Sequence, residues 1–340
     1  VPSSILSELL RQELLQPPPA AARALALEIR DRHPALCAVV FYGSCLRKQT
    51  SEGVLDFYAL VDDYRGAYAS QALAWANAAL PPNVFYLELP GENAPLRAKY
   101  AVMSTDDFAR GATGGLRSHI WARFSQPAQV VWARDEASRF AVVAACGRAL
   151  RTAVRRTLPL LPDRDGVQRF DAATFWLSLF RETYGAELRT ESSDTIRSLF
   201  HAAPERYSTA LRGALREIAA SGALMATETD AVWTVSHPPG ALRRGRLARR
   251  LRRPVARILS LGQLLKSALT FGDWLPYALW KLERHTGTRI VPTARQRRRP
   301  FLYGWPLIVR VLRRGELGWR RSSGADDAAA IHPVGADRVG

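Results

Sequence analysis

The sequence predicts an α+β protein: a small sheet domain, a helical domain after it, and a basic, amphipathic C-terminal segment. Short runs of β-branched and aromatic residues alternate with Ala- and Leu-rich stretches only up to about residue 134. From 136 to 235 the pattern is almost entirely helical, and beyond 240 arginine dominates. At 340 residues, 47% hydrophobic and 23% charged, the chain can bury a substantial core, which excludes whole-chain disorder. No apolar run has the continuity of about 18 residues that a spanning helix needs, which excludes a polytopic membrane protein.

Residues 1–36 read as helix, interrupted by Pro17, Pro18 and Pro19 and resumed in an Ala/Leu-rich stretch. Residues 38–42 (Ala-Val-Val-Phe-Tyr) are a buried strand that turns at Gly43 and Ser44. Residues 53–61 form a second strand, 83–89 a third and 99–103 a fourth, with an Ala-rich helix over 64–80. This sheet domain spans 1–134 and the helical domain 135–240, with a break at 161–166 and a short hairpin over 223–235. His237, Pro238, Pro239 and Gly240 make a linker. The basic segment is 241–321, and residues 322–340, rich in Gly, Ala and Asp, are expected to be disordered.

Charge is segregated. The net charge is +17, and residues 241–321 alone carry 19 Arg, 2 Lys and 3 acids, or +18. The remainder of the chain is close to neutral, at −1. A basic block of this density is suited to a polyanion, either nucleic acid or an anionic membrane surface, unless it is simply a solvated face. Three cysteines (Cys37, Cys45, Cys146) are too few for a disulfide scaffold and lack metal-ligand spacing. Residues 1–16 lack the basic region and apolar core of a secretory leader, so a reducing cytoplasm is expected.

The segment that carries chemistry is Tyr42-Gly43-Ser44-Cys45, with Asp56 on the next strand. Glycine lets the backbone approach a phosphate and the serine hydroxyl can donate to it. Asp56 would project from the sheet toward Mg²⁺, a hard ion held by carboxylate, phosphate oxygens and water. Taken alone, the motif is equally that of an ordinary strand-to-helix turn beside a surface aspartate. A polymerase-like nucleotidyltransferase site has a second aspartate two residues on, on the same face of the strand. Here that residue is Tyr58, so Asp62, Asp63 or Glu88 is expected to supply the second metal-binding carboxylate.

These residues closely resemble the mitochondrial-type phosphatidate cytidylyltransferases, which carry a Tyr-Gly-Ser turn and a Leu-Asp-Phe strand running into Val-Asp-Asp. Here those are Tyr42 to Ser44, Leu55 to Phe57 and Val61 to Asp63. The stretch from Lys99 to Ser104 is similar to the family's Lys-Tyr-Gly-Val-Ile-Ser strand, and Arg123 matches the arginine of its Ala-Gly-Arg-Leu-x-Lys-Pro element. The stretch from Tyr184 to Arg189 resembles Tyr-x-Gly-Asp-x-Arg, with Glu187 for Asp. Leu265 to Ser267 and Tyr277 to Leu279 echo its closing segment. Departures are Cys45 for glycine, Glu187, a shorter span between turn and Asp56, and a glycine missing before Arg123.

The resemblance implies a polymerase-β-like nucleotidyltransferase domain followed by a winged-helix-like domain. It implies Mg²⁺ as cofactor, CTP and phosphatidic acid as substrates, and CDP-diacylglycerol and pyrophosphate as products. Asp56, Ser44 and Lys99 are then the catalytic set, and Tyr42, Gly43, Ser44, Lys99, Arg123 and Arg189 bind the nucleotide. Lys99 is one of only four lysines among 44 arginines, and a compact cation suits a phosphate oxygen. Lys99 could instead be a strand-edge surface residue, and the two arginines ordinary salt-bridge partners. His119 is read as structural.

A lipid substrate gives the basic segment a role as a peripheral anchor on the inner face of the cell membrane. Arg249, Arg250, Arg252, Arg253, Lys266, Trp274 and Trp280 are the expected contacts, since arginines beside Trp and Tyr compose an interfacial anchor. The aromatics could instead be buried in the helical domain. The competing functions are a nucleotidyltransferase acting on RNA or another phosphorylated acceptor, and a non-catalytic lipid- or nucleic-acid-binding protein. Nucleic acid is not the expected partner, because no RNA-binding signature occurs.

Overall fold

The computed structural model describes residues 4–92, 94–116, 118–186 and 193–270. The chain enters through helix α1 (Ile5–Leu14), whose N-terminus is capped by the Ser4 hydroxyl accepting from the Ser7 amide at 3.1 Å. Leu6, Leu10 and Leu14, one turn apart, form its buried stripe. The three prolines end it, and α2 (Ala20–Arg32) follows with Ala22, Leu25, Ala26 and Ile29 buried.

A mixed five-stranded sheet comes next. Its strands are β1 (Leu36–Tyr42), β2 (Val54–Val61), β3 (Asn83–Leu89), β4 (Leu96–Ser104) and β5 (Ala128–Ala133), in the order β3-β4-β2-β1-β5. Only the β2–β4 pair is parallel; the other pairs are antiparallel. Short α3 (Ser44–Lys48) joins β1 to β2, and α4 (Tyr64–Ala67) and α5 (Gln71–Ala79) join β2 to β3. The helix expected over 64–80 is therefore two, broken around Tyr68 to Ser70, where the chain turns extended. Helix α6 (Thr105–Thr113) follows β4.

Both faces of the central strands are covered, which is why residues 38–42 read as a continuous apolar run and not an alternating one. Val39, Phe41, Phe57, Ala59 and Val61 face one way, into a cluster with Leu25 and Ile29 of α2. Ala38, Val40, Tyr58, Leu60 and Met103 face the other way.

That second face rests on the helical half. It comprises α7 (Glu136–Thr157), α8 (Ala172–Ala186), α9 (Ser193–His201) and α10 (Pro204–Ala220). Its small sheet holds β6 (Val167–Asp171), β7 (Met225–Thr229) and β8 (Val232–Ser236) in the order β6-β8-β7. The expected hairpin is β7–β8; β6 is a strand within the stretch whose pattern reads as helical. Val40 and Tyr58 share one hydrophobic cluster with Val142, Trp176 and Tyr207, so residue 134 separates elements without separating cores. A part-buried ion pair spans the same junction: Arg206 of α10 donates to Glu13 of α1 at 2.7 Å and to the Ser125 carbonyl at 2.6 Å.

Helix α11 (Ala241–Thr270) closes the described chain as one continuous helix through Pro254. The arginine-rich residues 241–257 and the more apolar residues 258–270 belong to this same helix. Residues 271–340, with Trp274, Trp280 and the tail, lie outside the described residues. Among the described residues no helix is long and apolar enough to cross a membrane.

Candidate functional site

Strand register assembles the site. Tyr42 at the end of β1 pairs with Asp56 on β2, Asp56 pairs with Lys99 on β4, and Lys99 pairs with Tyr86 on β3. Directly paired residues point to the same face of a sheet, so the row Tyr42–Asp56–Lys99–Tyr86 lies on one face. It is the face shared with the helical half, because Tyr58, two residues from Asp56, is buried in that cluster. Asp56 and Lys99 are half-buried at the margin of the core.

Gly43 ends β1 beside this row with φ +95 and ψ −160, a backbone state that an L side chain rarely adopts. A Cβ there would lie 3.0 Å from Asp56 Oδ2. The absence of a side chain at Gly43 leaves room for the Asp56 carboxylate. Ser44, exposed, starts α3 immediately after it, and Cys45 is buried behind, its thiol donating to the Val54 carbonyl at 3.4 Å.

Arg123 arrives from a helical turn between α6 and β5, held by Ala122 N to Ser118 O and Phe124 N to Ile120 O bonds of 2.9 Å. Its buried neighbours Ala122 and Phe124 fix the backbone. Its Nη1 donates to the Tyr58 hydroxyl at 3.1 Å, and its Cζ lies 5.3 Å from the Tyr42 ring centroid, within cation–π range. Tyr42 and Tyr58 rings are 5.5 Å apart. The Tyr58 hydroxyl therefore helps hold the Arg123 guanidinium over the Tyr42 ring.

The second carboxylates expected from sequence are not brought to Asp56. Asp62 lies six residues further along β2, roughly 20 Å at strand rise. It is engaged with Arg134 at 2.6 and 3.1 Å and accepts from the Cys37 thiol at 2.9 Å. Arg134 and that thiol hold the Asp62 carboxyl below the usual carboxylate range. Burial, with Asp62 beside it, pushes the Cys37 thiol up to about 12. Asp63 caps α4, accepting from the Arg65 and Gly66 amides at 2.8 Å. Glu88 pairs in register with Arg97 and lies on β3, two strands from β2 and about 10 Å across from its axis. It is ion-paired to Arg97 at 3.3 Å and accepts from Tyr86 at 2.9 Å.

Arg97, unnoticed in the sequence, is two residues before Lys99 on β4 and therefore on the same face. The strand alternation Arg97, Lys99 was the signal available. Arg189 and Glu187 lie outside the described residues. Among the described residues no three His, Cys, Asp or Glu side chains converge as a metal-binding group. The donor set at Asp56, one carboxylate beside an open glycine turn, fits a single Mg²⁺ that takes its other ligands from phosphate and water.

The basic helix divides by face. Arg249 is turned inward and chelates Glu182 at 2.7 and 2.6 Å. Lys266 donates to the Leu80 carbonyl and to those of Pro82 at 2.9 Å and Ala76 at 3.4 Å, closing the end of α5. Arg252 and Arg253 are half-buried, and burial lowers the Arg252 pKa. Of the five cations expected at a membrane, only Arg250 is exposed. The outward face instead carries Leu247, Leu251, Val255, Ile258 and Leu261, all exposed. Their spacing of three and four residues makes one stripe. Arg243, Arg250 and Arg257, exposed and seven residues apart, border it as a row.

Compared with models of known families and with curated proteins, the chain matches none.

Proposed function

We propose that this protein is a Mg²⁺-dependent nucleotidyltransferase that transfers cytidylate from CTP to phosphatidate at a membrane surface, releasing pyrophosphate. The observation that carries the reading is the single register row Tyr42–Asp56–Lys99 beside the Gly43–Ser44 turn. An open backbone turn, one carboxylate and one compact cation on the same face are what a metal-bound triphosphate needs. The resemblance of these motifs to the phosphatidate cytidylyltransferases supplies the choice of CTP and lipid. The mixed sheet fits a polymerase-β-like domain. The order α7, β6, α8 to α10, β7, β8, with sheet order β6-β8-β7, fits a winged-helix-like second half.

The chemistry balances without a strong base. A phosphomonoester is largely dianionic at neutral pH, its second pKa being about 6. One of its oxygens attacks the α-phosphorus of CTP and forms the new P–O–P bond. The bond from that phosphorus to the bridging oxygen of the β-phosphate breaks, and pyrophosphate leaves with the electron pair. Mg²⁺, when bound, neutralises charge on the triphosphate oxygens as a Lewis acid. Gly43 and Ser44 cradle the triphosphate, Lys99 meets a phosphate oxygen as a point charge, and Asp56 is the metal-binding carboxylate. Such transfer requires positioning and charge neutralisation more than covalent help from the protein.

The exposed aliphatic stripe of α11 and its arginine row support a peripheral seat on an anionic membrane at its inner face. Apolar side chains enter the interface while each arginine contributes on the order of 1 kcal/mol. The test is Mg²⁺-dependent pyrophosphate release on anionic vesicles with CTP, ATP, GTP or UTP, with and without phosphatidate. Release that needs both CTP and phosphatidate is expected. Release with RNA in place of phosphatidate would move the acceptor to nucleic acid, and no release under any condition would remove the enzyme reading.

A further inference from the structure

Helix α11 is seated on the helical half through one face. At Gly245 a Cβ would come within 2.5 Å of Pro159, and Arg246 donates to the Pro159 carbonyl at 3.0 Å. Arg246 is paired with Asp163, and Arg249 with Glu182. Arg252, seven residues on from Gly245, returns to the same side of the helix, where it meets another cation. That neighbour is Arg156, in the last turn of α7 and three residues before Pro159. Burial, and after it the charge of Arg252, lower the Arg156 pKa, so the two guanidiniums stand within each other's field. Both are half-buried.

A loop frames the pair. Arg156 Nη2 donates to the Gly115 carbonyl at 3.2 Å and lies 2.7 Å from where a Cβ on Gly114 would be, so a glycine lets the guanidinium lie against this backbone. Next to it, a Cβ on Gly115 would meet open space, and Leu116 is exposed. On the helix side Leu251 and Val255, which flank Arg252, belong to the exposed stripe. Two cations thus sit half-buried beside two exposed apolar edges.

We propose that Arg156 and Arg252 form a binding site for the phosphomonoester headgroup of a membrane lipid, with Leu116 and the α11 stripe entering the bilayer beside it. The inference rests on the membrane seat proposed above and is independent of the transfer chemistry. A phosphomonoester carries about −1.5 to −2 charges at neutral pH and three oxygens free to accept, whereas a phosphodiester headgroup carries a single phosphate charge. Two guanidinium forks held side by side match the monoester in charge and in geometry. Half-burial also shields this contact from salt better than a contact made by the exposed row of Arg243, Arg250 and Arg257. The exposed row then recognises negative charge in general, and the half-buried pair recognises the headgroup.

The experiment compares headgroups at equal charge. The full chain is sedimented with phosphatidylcholine vesicles that contain either phosphatidate or phosphatidylglycerol, at matched surface potential and physiological salt. Binding to the phosphatidate vesicles is expected to be about tenfold tighter, the scale of a charge-assisted hydrogen bond. Arg156→Gln and Arg252→Gln should each remove most of that preference and leave binding to phosphatidylglycerol vesicles nearly unchanged. Arg250→Gln, in the exposed row, should weaken binding to both alike. Equal affinity of the unaltered chain for the two vesicles would overturn the proposal. An equal loss on both vesicles in the Arg156 and Arg252 variants would also overturn it. Millimolar inorganic phosphate, with ionic strength held constant, should not release the chain from phosphatidate vesicles; release would make the ligand a soluble phosphate and overturn the lipid assignment. Thermal melts identify any variant that fails to fold, and the preference of the unaltered chain depends on no variant. If the chain binds neither vesicle, the membrane seat fails and this site with it, whereas vesicle binding without a headgroup preference removes only the site.

Discussion

Lys99 stands directly across the parallel β2–β4 pair from Asp56, so a cation and a carboxylate occupy one rung of the sheet. The backbone at both is fixed, because Phe57, Ala98 and Tyr100 beside them are buried on the opposite face. Asp56→Asn should abolish cytidylyl transfer, with the melting temperature within about 3 °C of the unaltered chain, since the side chain is only half-buried. Lys99→Met should raise the KM for nucleotide at least tenfold, and Lys99→Arg should recover only part, because the two cations present different geometry to phosphate. Steady-state pyrophosphate release measures both.

Gly43→Ala should be more damaging than a methyl group suggests. The added Cβ meets Asp56 Oδ2 at 3.0 Å, and φ +95 is strained for alanine. A loss of about 1–2 kcal/mol of stability and at least tenfold in kcat/KM is expected. Urea melts and initial rates check the two parts separately.

Asp62 was legible as a candidate ligand and turns out to hold a different part of the fold. Asp62→Ala should leave kcat unchanged and lower stability by no more than about 1 kcal/mol, the scale of an exposed ion pair. A tenfold fall in kcat would restore Asp62 to the metal site.

The strands were readable because β-formers cluster at 38–42, 53–61, 83–89 and 99–103, and each appears in the sheet. The turn at Gly43 was readable because only glycine suits that conformation. Pairing register was not readable: that Asp56 meets Lys99, and that Asp62 lies a strand's length away from it, depends on tertiary placement. Tyr58 looked like a defect from sequence, since its partner Arg123 is 65 residues away and no local pattern links them. The same limit applied to α11. Composition marked the helix as basic, but which arginines face Glu182 and which face outward depends on how it docks.

That docking gives a separable pair of outcomes. Lys266→Met removes a charged donor from the Pro82 and Ala76 carbonyls and should cost about 1–2 kcal/mol of stability while leaving vesicle binding unchanged. Leu251→Asp, on the exposed stripe, should leave stability unchanged and weaken binding to anionic vesicles at least fivefold. Vesicle sedimentation and thermal melts distinguish them.

Stability should fall as pH drops from neutral toward 5. Burial holds the His33 pKa below its usual value, with Nδ1 donating to the Ala67 carbonyl at 2.9 Å. The unfolded chain therefore takes up the proton first, below about pH 6.5, and favours unfolding. The stabilisation is complete above that pH and is lost as pH falls through the lower folded value. His33→Gln should reduce the difference in melting temperature between pH 7.5 and 5.5. His237, also held low by burial, retains part of the slope.

Following the α-phosphate of CTP decides whether cytidylate reaches a lipid. The full chain is incubated with CTP labelled at the α-phosphorus, Mg²⁺ and vesicles containing phosphatidate, and the lipid is extracted. Label is expected in the lipid fraction as CDP-diacylglycerol, absent without phosphatidate and absent with Asp56→Asn. Label that stays entirely in the aqueous phase, while the protein binds both CTP and vesicles, would contradict the proposed transfer.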